Sequence, residues 1–126
     1  MNIIEPISQI RLFGLGNYLN ELIHLYKKNK LPNKILFSGE KGIGKCTLAY
    51  HIVNYILSLS EENPYDTKNL QINSENKSFK LVQNKSNPNF ILIDVSADKK
   101  NIDIFMNSFL INVQYENKNL HLYMQS

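Results

Sequence analysis

The residues best suited to chemistry lie in one short segment, GEKGIGKC, at positions 39–46. Its spacing matches G-x-x-x-x-G-K, followed by cysteine where serine or threonine is usual. Gly39, Gly42 and Gly44 can adopt backbone angles closed to other residues, so the loop can curl and point its N–H groups at phosphate oxygens. Lys45 would reach the β- and γ-phosphates of a nucleotide. The pattern predicts a phosphate-binding loop, or P-loop.

The predicted nucleotide site combines this loop with the first turn of a helix. A helix N-terminus adds a positive dipole end to such a site, and the Thr47 hydroxyl can donate to a phosphate. The predicted ligand is ATP or ADP. The predicted binding residues are Gly39, Glu40, Lys41, Gly42, Ile43, Gly44, Lys45, Cys46 and Thr47. The alternative is a glycine-rich strand-to-helix turn with an incidental lysine.

Cys46 departs from the usual motif. It occupies the position whose hydroxyl ordinarily ligates Mg²⁺, and a thiol is a poor ligand for that hard cation. The sequence therefore supports Mg²⁺ only weakly and places metal-assisted hydrolysis in doubt. A second interpretation makes Cys46 a reactive thiol, because a helix N-terminus and Lys45 would lower its pKa. The simpler interpretation is drift from a hydroxyl.

No catalytic residue and no metal ligand is predicted elsewhere. Asp94 ends the apolar segment ILID, but valine follows it where a second acid would be needed to position Mg²⁺ and water. Asp94 is therefore interpreted as a solvent-facing strand end. His24 is interpreted as a partly exposed histidine on a helix, since no second ligand has suitable spacing beside it.

Composition narrows the class of protein. The 126 residues suit one domain, predicted over positions 1–126, and a net charge of +3 is only weakly basic. The single cysteine excludes an internal disulfide and a zinc cluster built from several thiolates. No apolar run is long enough to cross a membrane, and no signal peptide begins the sequence, so a cytoplasmic location is expected.

Hydrophobic patterning predicts an α/β fold, a partial three-layer arrangement in which helices flank a parallel sheet. Each buried strand is a short apolar run, and each helix carries an amphipathic stripe. The predicted helices span 16–30, 45–58 and 102–110, with one short helix around 79–82 inside a polar loop. The predicted strands span 34–38 and 89–95, and residues 112–126 have some strand character.

Four stretches resemble one known family. They are LFGLGNYLNEL, LPNKILFSGEKGIGKCTLAYHIVNYIL, SNPNFILIDV and KNIDIF. On these stretches residues 4–110 resemble the N-terminal part of the delta-prime subunits of DNA polymerase III, within the clamp-loader AAA+ P-loop family. The resemblance implies a P-loop NTPase fold, a role in bacterial DNA replication, other clamp-loader subunits as partners, and only indirect contact with DNA.

Two departures from that family shape the expectations. Family members often carry a cysteine-rich zinc module after the P-loop helix, whereas residues 61–80 contain no cysteine, so no zinc is expected. The acidic strand, arginine motif and later domains of the family are not recognisable after Leu110. The chain is therefore expected to be a truncated copy or a fragment.

Three hypotheses follow from the sequence. The first is a clamp-loader-like module that binds nucleotide with little or no hydrolysis. The second is a small P-loop kinase or ATPase that uses Lys45 and Asp94. The third is a chain too incomplete to fold alone.

Overall fold

The computed structural model describes residues 8–38, 44–84, 90–94 and 109–125. Over these residues the chain forms a mixed α/β fold with three helices and four strands. The elements are, in chain order, α1 (Gly16–Lys27), β1 (Lys34–Ser38), α2 (Lys45–Ser58), α3 (Lys77–Gln83), β2 (Phe90–Asp94), β3 (Phe109–Tyr115) and β4 (Lys118–Gln125).

Most of the predicted elements before residue 95 are confirmed. β1 and α2 have the predicted bounds, α3 is the short helix expected in the polar loop, and β2 covers the described part of the second predicted strand. α1 ends at Lys27, three residues early, and Asn29 then adopts a left-handed angle with φ 57°. Pro32 lies just beyond this turn, where a helix could not continue.

The predicted parallel sheet is wrong, because the sheet is mixed. Its strand order is β1-β4-β3-β2, and only β1 and β4 pair in parallel. β3 pairs antiparallel with both β2 and β4. The reason is a tight hairpin, in which Glu116 and Asn117 both have positive φ and join β3 to β4. Two strands joined by so short a turn must run antiparallel.

The second half of the chain contains more strand than expected. The helix predicted over 102–110 is wrong at its end, since Phe109 and Leu110 belong to β3, and residues 102–108 lie outside the described residues. The strand character predicted from residue 112 onward is confirmed by β3 and β4. Strands β3 and β4 thus supply the centre of the sheet.

The hydrophobic core lies between one face of the sheet and α2. Alternate residues of three strands are buried there, as expected when one face of a sheet is covered. They are Phe37 on β1, Ile111 and Val113 on β3, and Leu120, Leu122 and Met124 on β4. Helix α2 contacts all three strands and also α1 and α3, which explains why it is buried nearly all round. Helix α2 is therefore the element around which the fold is packed.

A buried polar network ties α3 to α2. The side-chain amides of Asn54 and Asn76 exchange two hydrogen bonds of 3.0 and 3.1 Å. The Asn76 oxygen also accepts from the backbone N–H of Phe79 at 2.7 Å, which makes Asn76 the N-cap of α3. Because each buried amide finds a partner, the network positions α3 without leaving an unsatisfied polar group at this contact.

Candidate functional site

The predicted nucleotide site lies where β1 ends and α2 begins. Ser38 is the last residue of β1 and Lys45 is the first residue of α2. Five predicted site residues, Gly39, Glu40, Lys41, Gly42 and Ile43, lie outside the described residues. The other four, Gly44, Lys45, Cys46 and Thr47, begin α2 as the sequence predicted. The two ends of the segment are therefore held by strand β1 and the central helix α2.

Gly44 adopts the special backbone geometry that its residue type allows. It is the N-cap of α2 with φ 85° and ψ 16°, in the left-handed region, and its carbonyl accepts from the N–H of Leu48 at 2.9 Å. A β-carbon at this position would contact Leu15 and would be strained by the angle. The left-handed angle thus favours glycine at the entry to α2.

Lys45 places a positive charge at the start of α2 and is only 6% exposed. The first turn of α2 contains no acidic residue. This end of α2 is electrostatically suited to an anion.

Cys46 follows in the first turn and is half-buried. Burial raises the pKa of its thiol to about 12, and the opposing effect of Lys45 is smaller. The thiol is therefore protonated at neutral pH. This outcome runs against the interpretation of Cys46 as a reactive thiol, which depended on Lys45 and the helix end lowering the pKa.

A groove opens beside this site between α1 and β1. This α1–β1 groove has a volume of about 560 Å³, a size typical of ligand pockets. Its lining is mostly apolar and includes Leu15, Tyr18, Leu22, Leu25, Leu36 and Lys45. Sequence reasoning missed it. Tyr18 belongs to the apolar stripe of α1, so the sequence predicts that it is buried, but in the structure it is 61% exposed.

The groove is lined by α1 on one side and β1 on the other. Leu15, just before α1, lies next to Gly44 at the α2 end. At the other end the Lys118 ammonium donates to the side chain of Asn29 at 2.5 Å, and the His121 N–H donates to the carbonyl of Asn33 at 2.8 Å. One end of the groove therefore adjoins the predicted phosphate site, and the other adjoins the turn after α1.

A buried histidine was also missed by sequence reasoning. His51 on α2 is fully buried, with Nδ1 2.7 Å from the Tyr65 hydroxyl and Nε2 2.9 Å from the Gln9 carbonyl. A neutral ring satisfies both contacts if Nε2–H donates to Gln9 and the hydroxyl of Tyr65 donates to Nδ1. Burial lowers the pKa of His51, against a smaller opposing effect of the Gln9 hydrogen bond. The arrangement binds the loop segments around Gln9 and Tyr65 to α2.

The other residues considered from the sequence are not gathered into this site. His24 is exposed on α1, as predicted, and Asp94 is the last residue of β2. Among the described residues no group of three or more His, Cys, Asp or Glu side chains is arranged to hold a metal ion. Within the same residues, no helix has the length and apolar character needed to cross a membrane.

Comparisons with known proteins add no relative. No family model, no curated protein and no solved structure matches this chain.

Proposed function

We propose that this chain binds ATP or ADP at the junction of β1 and α2, as a clamp-loader-like nucleotide-binding module with little or no hydrolysis. The observation that carries the proposal is the position of Lys45, a lysine at the first residue of α2, directly after a left-handed glycine. A nucleotide phosphate at this position gains both the lysine charge and the positive end of the helix dipole.

The adjoining groove supports a nucleotide over inorganic phosphate. Its α2 end joins Lys45 and Ser38 to the apolar side chain of Leu15 and to the exposed ring of Tyr18. Nucleotide bases bind against apolar and aromatic side chains, while the phosphates need positive charge. Lys45 and the apolar and aromatic side chains line the same groove, which supports a nucleotide as the ligand.

Cys46 supports binding without efficient turnover. Its thiol is protonated and replaces the oxygen that Mg²⁺ prefers, so the metal loses one protein ligand. Weak Mg²⁺ binding disfavours phosphoryl transfer, in which the metal neutralises developing charge. The competing hypothesis of a small P-loop kinase or ATPase requires this metal and predicts Mg²⁺-dependent release of phosphate.

The wider role we propose rests on the sequence resemblance. Four stretches similar to the delta-prime clamp-loader subunits support a place in DNA replication, with other clamp-loader subunits as partners and DNA contacted indirectly. No zinc belongs to this proposal, because the segment at 61–80 has no cysteine to hold it.

Isothermal titration calorimetry with ATP and ADP, with and without Mg²⁺, tests the proposal. We expect saturable binding that changes little with Mg²⁺ and weakens at least tenfold in Lys45→Met, which keeps the apolar stem of the side chain. Lys68→Met, at an exposed position far from α2's N-terminus in sequence, is the matched control and should bind normally.

Two outcomes would remove the proposal or change it. An absence of binding heat up to millimolar nucleotide, in protein whose circular dichroism shows it folded, would rule out a nucleotide site. Steady Mg²⁺-dependent phosphate release that disappears in Lys45→Met would replace the binding module with the enzyme hypothesis.

A further inference from the structure

One edge of the sheet is left unpaired among the described residues. The strand order places β1 at an end of the sheet, with β4 on its inner side. Within the described part of the chain no strand pairs with the outer side of β1. Edges of this kind can accept a further strand from another chain, because their backbone groups are free to extend the ladder.

The backbone groups on that edge can be assigned from the ladder with β4. The His121 N–H donates to the carbonyl of Asn33, and Lys34 is paired with His121 in a parallel register. In a parallel pair the residues of one strand alternate between bonding inward and pointing outward. Lys34, Leu36 and Ser38 therefore direct their N–H and carbonyl groups away from β4. This two-residue spacing matches an extended peptide.

The outer edge of β1 is also a wall of the α1–β1 groove. Leu36 is 58% exposed and Tyr18 is 61% exposed, and both line the groove. Two large apolar side chains at this exposure form a surface, and covering it with apolar side chains is favourable. Near the C-terminal end of α1, the ring of Tyr26 packs edge-to-face on the ring of Tyr55 of α2, with the ring centroids 5.6 Å apart. This contact fixes that end of α1 against α2.

The end of the groove away from the N-terminus of α2 is strongly basic. Five exposed lysines lie on α1's last turn, the segment after it and the first residues of β1 and β4. Two glutamates oppose them, Glu116 near Tyr26 and Glu21 in the lining of the groove. The lysines are Lys27, Lys28, Lys30, Lys34 and Lys118. Within the described residues no salt bridge involves any of them. A bound segment with acidic residues at this end of the groove is therefore favoured by charge complementarity.

We propose that the outer edge of β1 binds an extended segment of another protein, with apolar residues in the α1–β1 groove and Asp or Glu residues beside the five lysines. The segment adds a strand next to β1 and exchanges backbone hydrogen bonds with Lys34, Leu36 and Ser38. This inference goes beyond nucleotide binding and does not require it, but a peptide and a nucleotide base would both contact Tyr18 and so compete for the groove.

Fluorescence anisotropy on the full chain, without nucleotide, provides the test. The probe is a labelled peptide with the sequence Glu-Glu-Asp-Val-Thr-Val-Ile-Val-amide. We expect saturable binding that weakens as sodium chloride screens the lysines. A peptide with lysines in place of the three acids should bind at least tenfold more weakly. N-methylation of alternate peptide nitrogens, which removes the ladder donors, should also cost at least tenfold.

Charge-reversed protein variants locate the surface. Lys30→Glu combined with Lys34→Glu changes two exposed lysines of the basic end and should weaken binding of the acidic peptide at least tenfold. Lys68→Glu combined with Lys77→Glu reverses two exposed lysines elsewhere and should leave binding unchanged. Leu36→Lys alters an exposed side chain in the groove and should also weaken binding, with circular dichroism confirming that each variant is folded.

Four results would overturn the proposal. The first is no binding of the acidic peptide up to millimolar concentration. The second is equal binding of the N-methylated peptide, which would exclude strand pairing. The third is tighter binding of a labelled single-stranded oligonucleotide that is lost in the Lys30 and Lys34 variant, which would make the basic end a nucleic-acid surface. The fourth is self-association that Leu36→Lys abolishes, because a second copy of the chain would then be the occupant.

Discussion

Cys46 and Lys45 are neighbours in sequence, yet their environments determine very different behaviour. The positive charge of Lys45 favours a thiolate, but burial of the Cys46 side chain favours the neutral thiol more strongly. Desolvation outweighs an adjacent charge when a group is withdrawn from water and the charge is partly screened. A motif read only from its spacing cannot show which of these opposing effects is larger.

We expect Cys46 to react slowly with iodoacetamide in the folded protein. With a pKa of about 12 the thiolate fraction at pH 8 is about one in ten thousand, whereas a free cysteine in an unfolded chain has a pKa of about 8.5. Mass spectrometry should therefore show little alkylation in native buffer and complete alkylation in 6 M guanidinium chloride over the same period. Equal labelling rates in the two solvents would contradict the buried, protonated thiol.

His51 should make the stability of the fold depend on pH. Its pKa is lowered in the folded state, so the unfolded chain binds more protons as the pH falls below about 6.5. Stability that the neutral ring provides at higher pH is then lost, with a slope of at most about 1.4 kcal/mol per pH unit for one group.

Urea denaturation at pH values from 7.5 to 5.0 measures this effect. His51→Gln should reduce the pH dependence of the unfolding free energy, even though it lowers stability at pH 7.5. The matched control His24→Gln, at an exposed position, should keep the original dependence. An unchanged pH dependence in His51→Gln would show that other groups produce it.

At the scale of elements, α3 depends on one asparagine more than on its own seven residues. Helices this short are unstable alone, because few hydrogen bonds offset the cost of starting them. Asn76 supplies the N-cap of α3 and, through its amide, the attachment to Asn54 of α2. Because Asn76 contacts both helices, the formation of α3 is coupled to the packing of α3 against α2.

Asn76→Ala should lower the unfolding free energy by roughly 2–4 kcal/mol. Loss of the cap contributes about 1 kcal/mol, and the unsatisfied amide of Asn54 contributes about 1–3 kcal/mol. Asn84→Ala, at the exposed C-terminal end of the same helix, is the comparison and should cost less than about 0.5 kcal/mol. Chemical denaturation of the two variants gives both values, and similar losses in both would contradict the role of Asn76.

The elements differed in how far their sequences predicted them. α2 was predicted with the observed bounds because its apolar residues recur at helical spacing after a glycine and lysine that suit a helix start. β3 was mistaken in part for helix, because a short apolar run such as FLINV has no period that separates the two. The hairpin after it lacks the usual Asn-Gly signal, since Glu116 and Asn117 occupy the positions with positive φ.

The candidate site was predictable only in its local part. The left-handed angle at Gly44 and the helix start at Lys45 follow from residue type and order. The α1–β1 groove, the elevated pKa of Cys46 and the enclosure of His51 arise from contacts between distant segments, such as His51 with Gln9. These contacts cannot be predicted from the sequence unless the order of the strands is known.

At the scale of the whole molecule, the described core is continuous from α1 through α2 to the sheet. Leu19, Ile52 and Leu122 belong to these three layers in turn, and each is fully buried. A single shared core favours cooperative unfolding, since no layer can separate without exposing the others. The hypothesis of a chain too incomplete to fold alone instead predicts that no cooperative transition is observed.

We expect one unfolding transition in urea, with the same midpoint by far-ultraviolet circular dichroism and by tyrosine fluorescence. Leu122→Ala, at a fully buried position, should shift both signals together and cost about 2–5 kcal/mol. Leu59→Ala, at a position 43% exposed, should leave the midpoint nearly unchanged. Two separate transitions, or no cooperative transition at all, would contradict a single core.

The position of β4 has a consequence for how the protein is made. β4 pairs with β1 on one side and β3 on the other, although β1 is synthesised more than eighty residues before it. On the ribosome, β1 therefore cannot pair with β4 until residues 118–125 have emerged. Pairing across such a distance slows folding, so the nascent chain leaves β1 without its β4 partner until those residues have been synthesised.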